Sequence, residues 1–294
     1  MLVFVGAVTT PLFALLQNTL KVDVSLVNVP FLVTDAQGRF MPGLSKEDFA
    51  VEEDGRKQDI QSFSRENSLP LSIGMLIDTS PSVSRVFDDE KETATNFLDT
   101  TLRRGDSAFV IGFSREVTLV EDFTDNRQKL RDAIQSLFTQ AGTSVYDAIY
   151  LACNEVFKSE GGRKTIILIS DGEDTTSKVR LSEAMTVAEK SEAVIYSISN
   201  RVGGFFNVRG TGNPEALRRL SAESGGTVYF VAGRSDLTEV FDEISEELRS
   251  QYSLGYVSTN TVKDGKYRSI RIIPKNAAYK ARGRSGYYAP LGPS

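Results

Sequence analysis

Four stretches of the chain run apolar without a break: Ile73–Ile77 (IGMLI), Ala108–Gly112 (AFVIG), Thr165–Ile169 (TIILI) and Ala193–Ile198 (AVIYSI). Thr227–Val231 (TVYFV) is a weaker fifth. Strands that are apolar on every residue are buried on both faces, as in a parallel sheet covered by helices. Helical spacing fills the gaps between them. Val86, Ala94, Phe97, Leu98 and Leu102 make one apolar stripe; Leu237, Val240, Phe241, Ile244 and Leu248 make another. Alternation of this kind predicts a doubly wound α/β domain with a mostly parallel sheet over residues 69–251.

Both ends of the chain read differently. Before Leu69 come short strand-like pieces, Val22–Val29, Phe31–Thr34, Phe49–Glu53 and Ile60–Phe63, punctuated by turn signals at Asp35–Gly38 and Asp54-Gly55. After Gln251 come Tyr252–Val257, Tyr267–Ile273 and a last piece near Tyr287, with Asp264-Gly265 as a hairpin signal. Neither flank offers enough strands to bury a core alone. The expectation is therefore a single, smaller all-β sandwich built from 19–68 plus 252–289, into which the α/β domain is inserted. Val22, Val24 and Leu26 on one side, with Ile270 and Ile272 on the other, supply the alternation of half-buried strands.

Residues 1–18 form an apolar segment of signal-peptide length, interrupted at Pro11 and without a preceding Lys or Arg. We read it as an atypical export signal, which places the protein in the periplasm, at the cell surface or outside the cell. No other segment is long and apolar enough to span a bilayer.

Composition narrows the chemistry. Of 294 residues, 40% are hydrophobic and 25% charged, as expected of a globular protein, and the net charge of −5 gives no footing for nucleic-acid binding. The basic tail, eight Lys/Arg against Asp264 alone over residues 251–294, reads as decoration of exposed strands. There is no histidine. Its absence removes the commonest general base, the Ser-His and Cys-His nucleophile pairs and the commonest zinc ligand. The single cysteine, Cys153, lies in the helically spaced Asp147–Phe157 stretch and reads as a small buried hydrophobe.

Polar residues follow directly on two of the apolar strands. The first ends in Asp78-Thr79-Ser80-Pro81-Ser82, a D-x-S-x-S sequence at the carboxyl edge of a sheet, where ligands of open α/β folds bind. Another ends in Ser170 and continues as Asp171-Gly172, where glycine permits a sharp exit. Gly142-Thr143-Ser144 adds a hydroxyl just ahead of a helix. Two carboxylates and three hydroxyls are hard oxygen donors of the kind magnesium takes. Asp78, Ser80 and Ser82 also suit helix capping, which leaves Thr143 and Asp171 unexplained.

Residues 71–250 resemble a von Willebrand factor A domain. The metal-ion-dependent adhesion site of that family uses D-x-S-x-S, a later Thr and a later Asp; all of these occur here, together with Gly105-Asp106, Gly112-Phe113-Ser114 and Gly142–Ile149 (GTSVYDAI). The flanks, Val33-Thr34-Asp35, Leu44–Glu53 and Tyr252–Tyr256, resemble bacterial, largely acidobacterial, exported proteins related to that family. The resemblance implies a divalent cation held by Asp78, Ser80, Ser82, Thr143 and Asp171, magnesium first, manganese or calcium as alternatives. It also implies a protein partner whose acidic side chain completes the coordination. Glu173, Asp174, Phe205 and Phe206 are candidates for the partner-facing rim, Asp147 reads as a first-turn helix acid, and the Arg104-Gly105-Asp106 tripeptide is explained by the fold. Two other readings stay open: a regulatory or assembly subunit that transmits occupancy through its last helix, and a metal-dependent hydrolase, which would have to use Glu173 or Asp174 as base. The expectation is a binding module, not an enzyme.

Overall fold

A computed structural model describes residues 26–65, 69–200 and 212–292. Val22, Val24, Phe205, Phe206 and residues 1–18 lie outside them. In chain order the elements are β1 (Leu26–Thr34), β2 (Phe49–Glu53), β3 (Arg56–Gln58), β4 (Ile60–Arg65), β5 (Leu71–Asp78), α1 (Phe87–Thr101), β6 (Ser107–Phe113), β7 (Val117–Thr124), α2 (Arg127–Ser136) and α3 (Val145–Asn154). There follow β8 (Arg163–Ile169), α4 (Leu181–Ser191), β9 (Val194–Asn200), α5 (Pro214–Ser224), β10 (Val228–Val231), α6 (Arg234–Ser250), β11 (Tyr252–Val257), β12 (Tyr267–Pro274), β13 (Lys280–Gly283) and β14 (Gly286–Tyr288).

The central sheet runs β10-β9-β8-β5-β6-β7, all parallel except the β6–β7 pair. Its apolar strands divide their side chains between two cores. Ile73, Met75 and Ile77 of β5 pack with Phe97 and Leu98 of α1 and with Phe241 and Ile244 of α6. Leu76, Phe109 and Ile111 face the other way, onto Ile149 of α3, Ala184 of α4 and Leu217 of α5. That division is why alternation is missing from the sequence of these strands. At Gly74 a Cβ atom would lie 2.4 Å from the Phe109 ring, so glycine lets the ring close over the strand.

Both chain ends contribute to each of two further antiparallel sheets, β13-β1-β11-β4 and β14-β12-β2-β3. Val29, Phe31 and Val33 of the first and Phe49, Val51 and Ile270 of the second share one core. Within it Glu53, 2% exposed, accepts hydrogen bonds from the Tyr256 and Tyr287 hydroxyls, each at 2.9 Å, and from Ser258 at 2.5 Å. Arg268 lies 3.5 Å from it, equally buried.

Three expectations about the flanks are corrected. The inward positions of β1 are Val27, Val29, Phe31 and Val33, while Leu26 is half exposed, the opposite parity to the one expected; with a period of two, a shift of one residue exchanges the faces. Nor are the pieces expected at Val22–Val29 and Phe31–Thr34 separate where they are described, since Leu26–Thr34 is one strand. Pro30 sits within one strand because its missing N–H points, like its carbonyl, toward Gly283, where pairing with β13 begins only at Phe31. Finally, Asp264-Gly265 does not close a hairpin: β11 and β12 belong to different sheets, and the loop crosses between them. The turn at Asp54-Gly55 does join β2 to β3, with φ of 48° and 76° at its two residues.

α6 passes into β11 through Gln251 alone. Arg163 at the start of β8 donates to the Leu248 carbonyl and, at 2.6 Å, to the Gln251 amide oxygen. Glu247 of α6 accepts from Arg282 of β13 at 2.5 Å.

Candidate metal centre

Strand order reverses between β5 and β8, which lie side by side with Ile77 opposite Ile169. A reversal of this kind opens a crevice at the carboxyl edge of the sheet. The loops after the two strands therefore leave from one place, carrying Asp78 and Asp171.

Asp78 is inaccessible to solvent. One carboxylate oxygen accepts the Ser80 N–H at 2.8 Å; the other accepts the Ser170 hydroxyl at 2.6 Å. Ser170 in turn accepts the Gly172 N–H at 3.1 Å, so a single hydroxyl joins the ends of both strands. Thr79, between Asp78 and Ser80, turns its hydroxyl back onto the Phe113 carbonyl at 3.0 Å. The next two hydroxyls then point together: Ser80 Oγ and Ser82 Oγ are 2.8 Å apart. Neither caps a helix. The short 3-10 turn Pro81–Val83 and α1 both begin without a side-chain cap hydrogen bond, which removes the capping alternative.

Gly172, at φ +79°, makes the exit after Asp171; a Cβ there would meet the Asn213 carbonyl at 2.7 Å. The Asp171 carboxylate accepts the Glu173 N–H at 3.0 Å. Thr143 is buried on a neighbouring loop, and its backbone binds the loop after Asp171: its N–H donates to Thr175 Oγ1 at 3.0 Å, and its carbonyl accepts the N–H groups of Thr175 and Thr176 at 2.9 and 3.1 Å. The Thr143 hydroxyl makes no hydrogen bond to another described residue. Direct contacts thus unite Asp78, Ser80, Ser82 and Ser170, with Asp171 next in the chain, while Thr143 is joined to the group through Thr175 and Thr176.

The rim residues separate. Asp174 is committed to the loop itself: its carboxylate accepts the Tyr146 N–H at 3.1 Å and both the hydroxyl and N–H of Ser177, at 2.5 and 3.3 Å. Asp147 stands in the first turn of α3 as expected and also accepts the N–H groups of Lys178 and Val179. Glu173 is half buried beside Asp171.

Burial pushes the Asp78 carboxyl up to about 6, against hydrogen bonds from Ser170 and Ser80 that pull it down; the Asp171 charge adds to the rise, and none of the groups that act most strongly on it is a cation. Among the described residues this buried carboxylate beside a second carboxylate has no basic partner, an electrostatic arrangement that a divalent cation completes. The hydroxyl spacing agrees: neighbouring ligands of an octahedral ion at magnesium distances are about 3 Å apart. No group of three or more His, Cys, Asp or Glu that could hold a metal exists among the described residues, so the fit depends on serine and threonine oxygens. Ser170 escaped the sequence reading although its signal was there, a polar residue closing an apolar strand immediately before Asp171.

The model of the von Willebrand factor type A domain family matches residues 72–243, and the chain belongs to that family. Among solved structures it is similar to a von Willebrand factor type A protein from Catenulispora acidiphila, with a TM-score of 0.54 and 15% identity, over 83% of this chain and 74% of that one. Proximal thread matrix protein 1 from the mussel byssus, with a zinc-occupied MIDAS motif, gives a TM-score of 0.55 and 18% identity over 68% of this chain and 50% of that one. A curated relative, an uncharacterized protein of Borreliella burgdorferi, is 23% identical over 198 residues; the match spans 58% of its length and 58% of this chain. No helix among the described residues is long and apolar enough to cross a membrane.

Proposed function

We propose that the chain is a divalent-cation-dependent protein-binding module, with Asp78, Ser80, Ser82, Thr143 and Asp171 as the residues that hold the ion, directly or through water. The observation that carries this reading is the buried Asp78 carboxylate, without a cationic partner among the described residues, close to two hydroxyls 2.8 Å apart at the edge where the strand order reverses. The zinc-occupied motif of the mussel protein supports a cation at this place in the fold. Magnesium suits the all-oxygen donor set, with manganese or calcium as substitutes. A bound ion supplies an electrophilic position for an external carboxylate, because three of the five protein donors are neutral. The partner is accordingly a protein that presents an acidic side chain.

Catalysis fits less well: with no histidine, and with Asp174 committed to its own loop, the site has no placed general base apart from the half-buried Glu173. A regulatory role remains a second reading, favoured by α6 entering β11 through a single residue, so that displacement of the helix displaces the sandwich. The apolar run in residues 1–18 supports export. Capture from a periplasmic or extracellular extract of the native cells tests the function. A partner retained in magnesium and released by EDTA is expected; retention by Asp78→Ala as strong as by the unaltered protein would remove the metal from the account.

A further inference from the structure

Asp78 and Ser170 are neighbours across two strands. β5 and β8 run parallel with Ile77 opposite Ile169, so the next residue of each falls beside the other. Their faces agree as well. Leu76 and Leu168, two residues back, both belong to the core under α3, α4 and α5, and a period of two puts Asp78 and Ser170 on that same face. The main chain here is fixed on both strands: the Thr79 N–H donates to the Phe113 carbonyl at 2.8 Å, and the Ser170 N–H extends the β8–β9 ladder onto the Ile198 carbonyl at 3.0 Å. What the sheet leaves free is the Asp78 side chain, through its own χ1 and χ2.

Each carboxylate oxygen is held by a donor, Oδ1 by the Ser80 N–H and Oδ2 by the Ser170 hydroxyl. The direction of the second bond is set by its neighbours. The Gly172 N–H can only donate, so it fills a lone pair of Ser170 Oγ; an ionised carboxylate can only accept, so the hydroxyl proton points to Asp78. Asp78 is inaccessible and Ser170 is 2% exposed, so solvent water does not stand in for the hydroxyl. Both donors are neutral. A lysine or arginine at Ser170 would hold the carboxylate but cancel the charge that an incoming ion needs, whereas a hydroxyl orients it and leaves the charge intact. Resting on the proposed function, we infer that Ser170 is a positioning residue of the metal site. It fixes the Asp78 carboxylate before the ion arrives and, through the Gly172 N–H, ties that orientation to the loop exit that carries Asp171. Ser170 acts through Asp78 and is not a further donor to the ion, since its proton is directed at Asp78 and a lone pair at Gly172.

Magnesium calorimetry on the full chain and its variants tests this, with circular dichroism in EDTA as the check on folding. Groups that orient a metal ligand are commonly worth roughly ten- to a hundred-fold in metal affinity, and Ser170→Ala should lose affinity by that factor. Ser170→Thr retains the hydroxyl and should restore most of it. Ser170→Cys fills nearly the same volume with a weak donor and should bind as poorly as Ser170→Ala, which keeps the test valid if alanine packs badly. Ser197→Ala is the control: it removes a buried hydroxyl that accepts from Ser221 at 2.9 Å on the adjacent strand β9, and it should leave magnesium affinity unchanged. The inference alone is overturned if Ser170→Ala or Ser170→Cys binds magnesium like the unaltered protein, if Ser170→Thr does no better than Ser170→Ala, or if Ser197→Ala loses as much. Absence of magnesium binding in the unaltered protein would instead remove the proposed function, and the role of Ser170 with it.

Discussion

Replacing Asp78 by asparagine removes a buried charge while keeping the shape of the side chain. In the folded, metal-free protein this carboxyl titrates near 6 rather than at its ordinary 3.8, so the folded state holds the proton more tightly than the unfolded chain does. Its contribution therefore favours folding below about pH 4 and is lost as the pH rises through 6. At pH 7 the two-unit rise corresponds to a penalty of about 3 kcal/mol. Asparagine avoids that penalty and still accepts the Ser80 N–H, but it turns an NH2 group toward Ser170, which must now accept where it donated. Allowing about 1 kcal/mol for the disturbed bond leaves a net gain of about 2 kcal/mol. Urea unfolding in EDTA should thus find Asp78→Asn more stable than the unaltered protein near pH 7 and equal or weaker near pH 4. Saturating magnesium should reverse the order at pH 7, since only the protein that binds the ion gains from it. A variant less stable than its parent in EDTA at both pH values would refute the reasoning, because it would mean that the carboxylate is already compensated inside the protein.

Four further outcomes are expected. Calorimetry should find one magnesium or manganese site per chain, absent from Asp171→Ala; a titration like that of the unaltered protein would place the ion elsewhere. Peptide, phosphate and glycosidic substrates should show no turnover above background, and metal-dependent turnover that disappears in Asp171→Ala would make the protein an enzyme. A 69–250 fragment should fold and bind magnesium by itself, whereas 1–68 should give no cooperative unfolding transition. Arg268→Leu should cost about 3 kcal/mol by leaving Glu53 buried without its cation, with magnesium affinity unchanged; a loss of affinity would show that the sandwich and the metal centre are coupled.

The candidate site was legible because its residues break a strong pattern. Asp78 follows directly on one apolar run and Asp171 follows another after Ser170 alone, and the pairing of β5 with β8 brings the two to one sheet edge. Ser170 was not separated from the strand it closes, since a serine at a strand end is commonplace until its hydroxyl is seen on Asp78. In the flanks the signals were weaker. β1 is apolar at Leu26, Val27, Val29, Phe31, Leu32 and Val33, a run that fits either parity, and only pairing with β11 and β13 decides which face turns inward. The antiparallel edge strand β7 was not anticipated, because Val117–Thr124 is half buried and mixes acids with apolar residues without a clean period. Asp264-Gly265 misled because a turn dipeptide states that the chain bends and not which strands it then joins.

Because both chain ends are woven into the sandwich, the route taken by mechanical tension is set by topology. Phe31–Thr34 of β1 is paired along its length with Lys280–Gly283 of β13, and β14 follows a few residues later. A pull applied before Leu26 and after Leu291 passes across those ladders and the shared core, bypassing everything from Leu71 to Ser250. The α/β domain therefore lies outside the loaded path until the sandwich tears, and the proposed partner site at the Asp78 edge is spared traction applied at those two points.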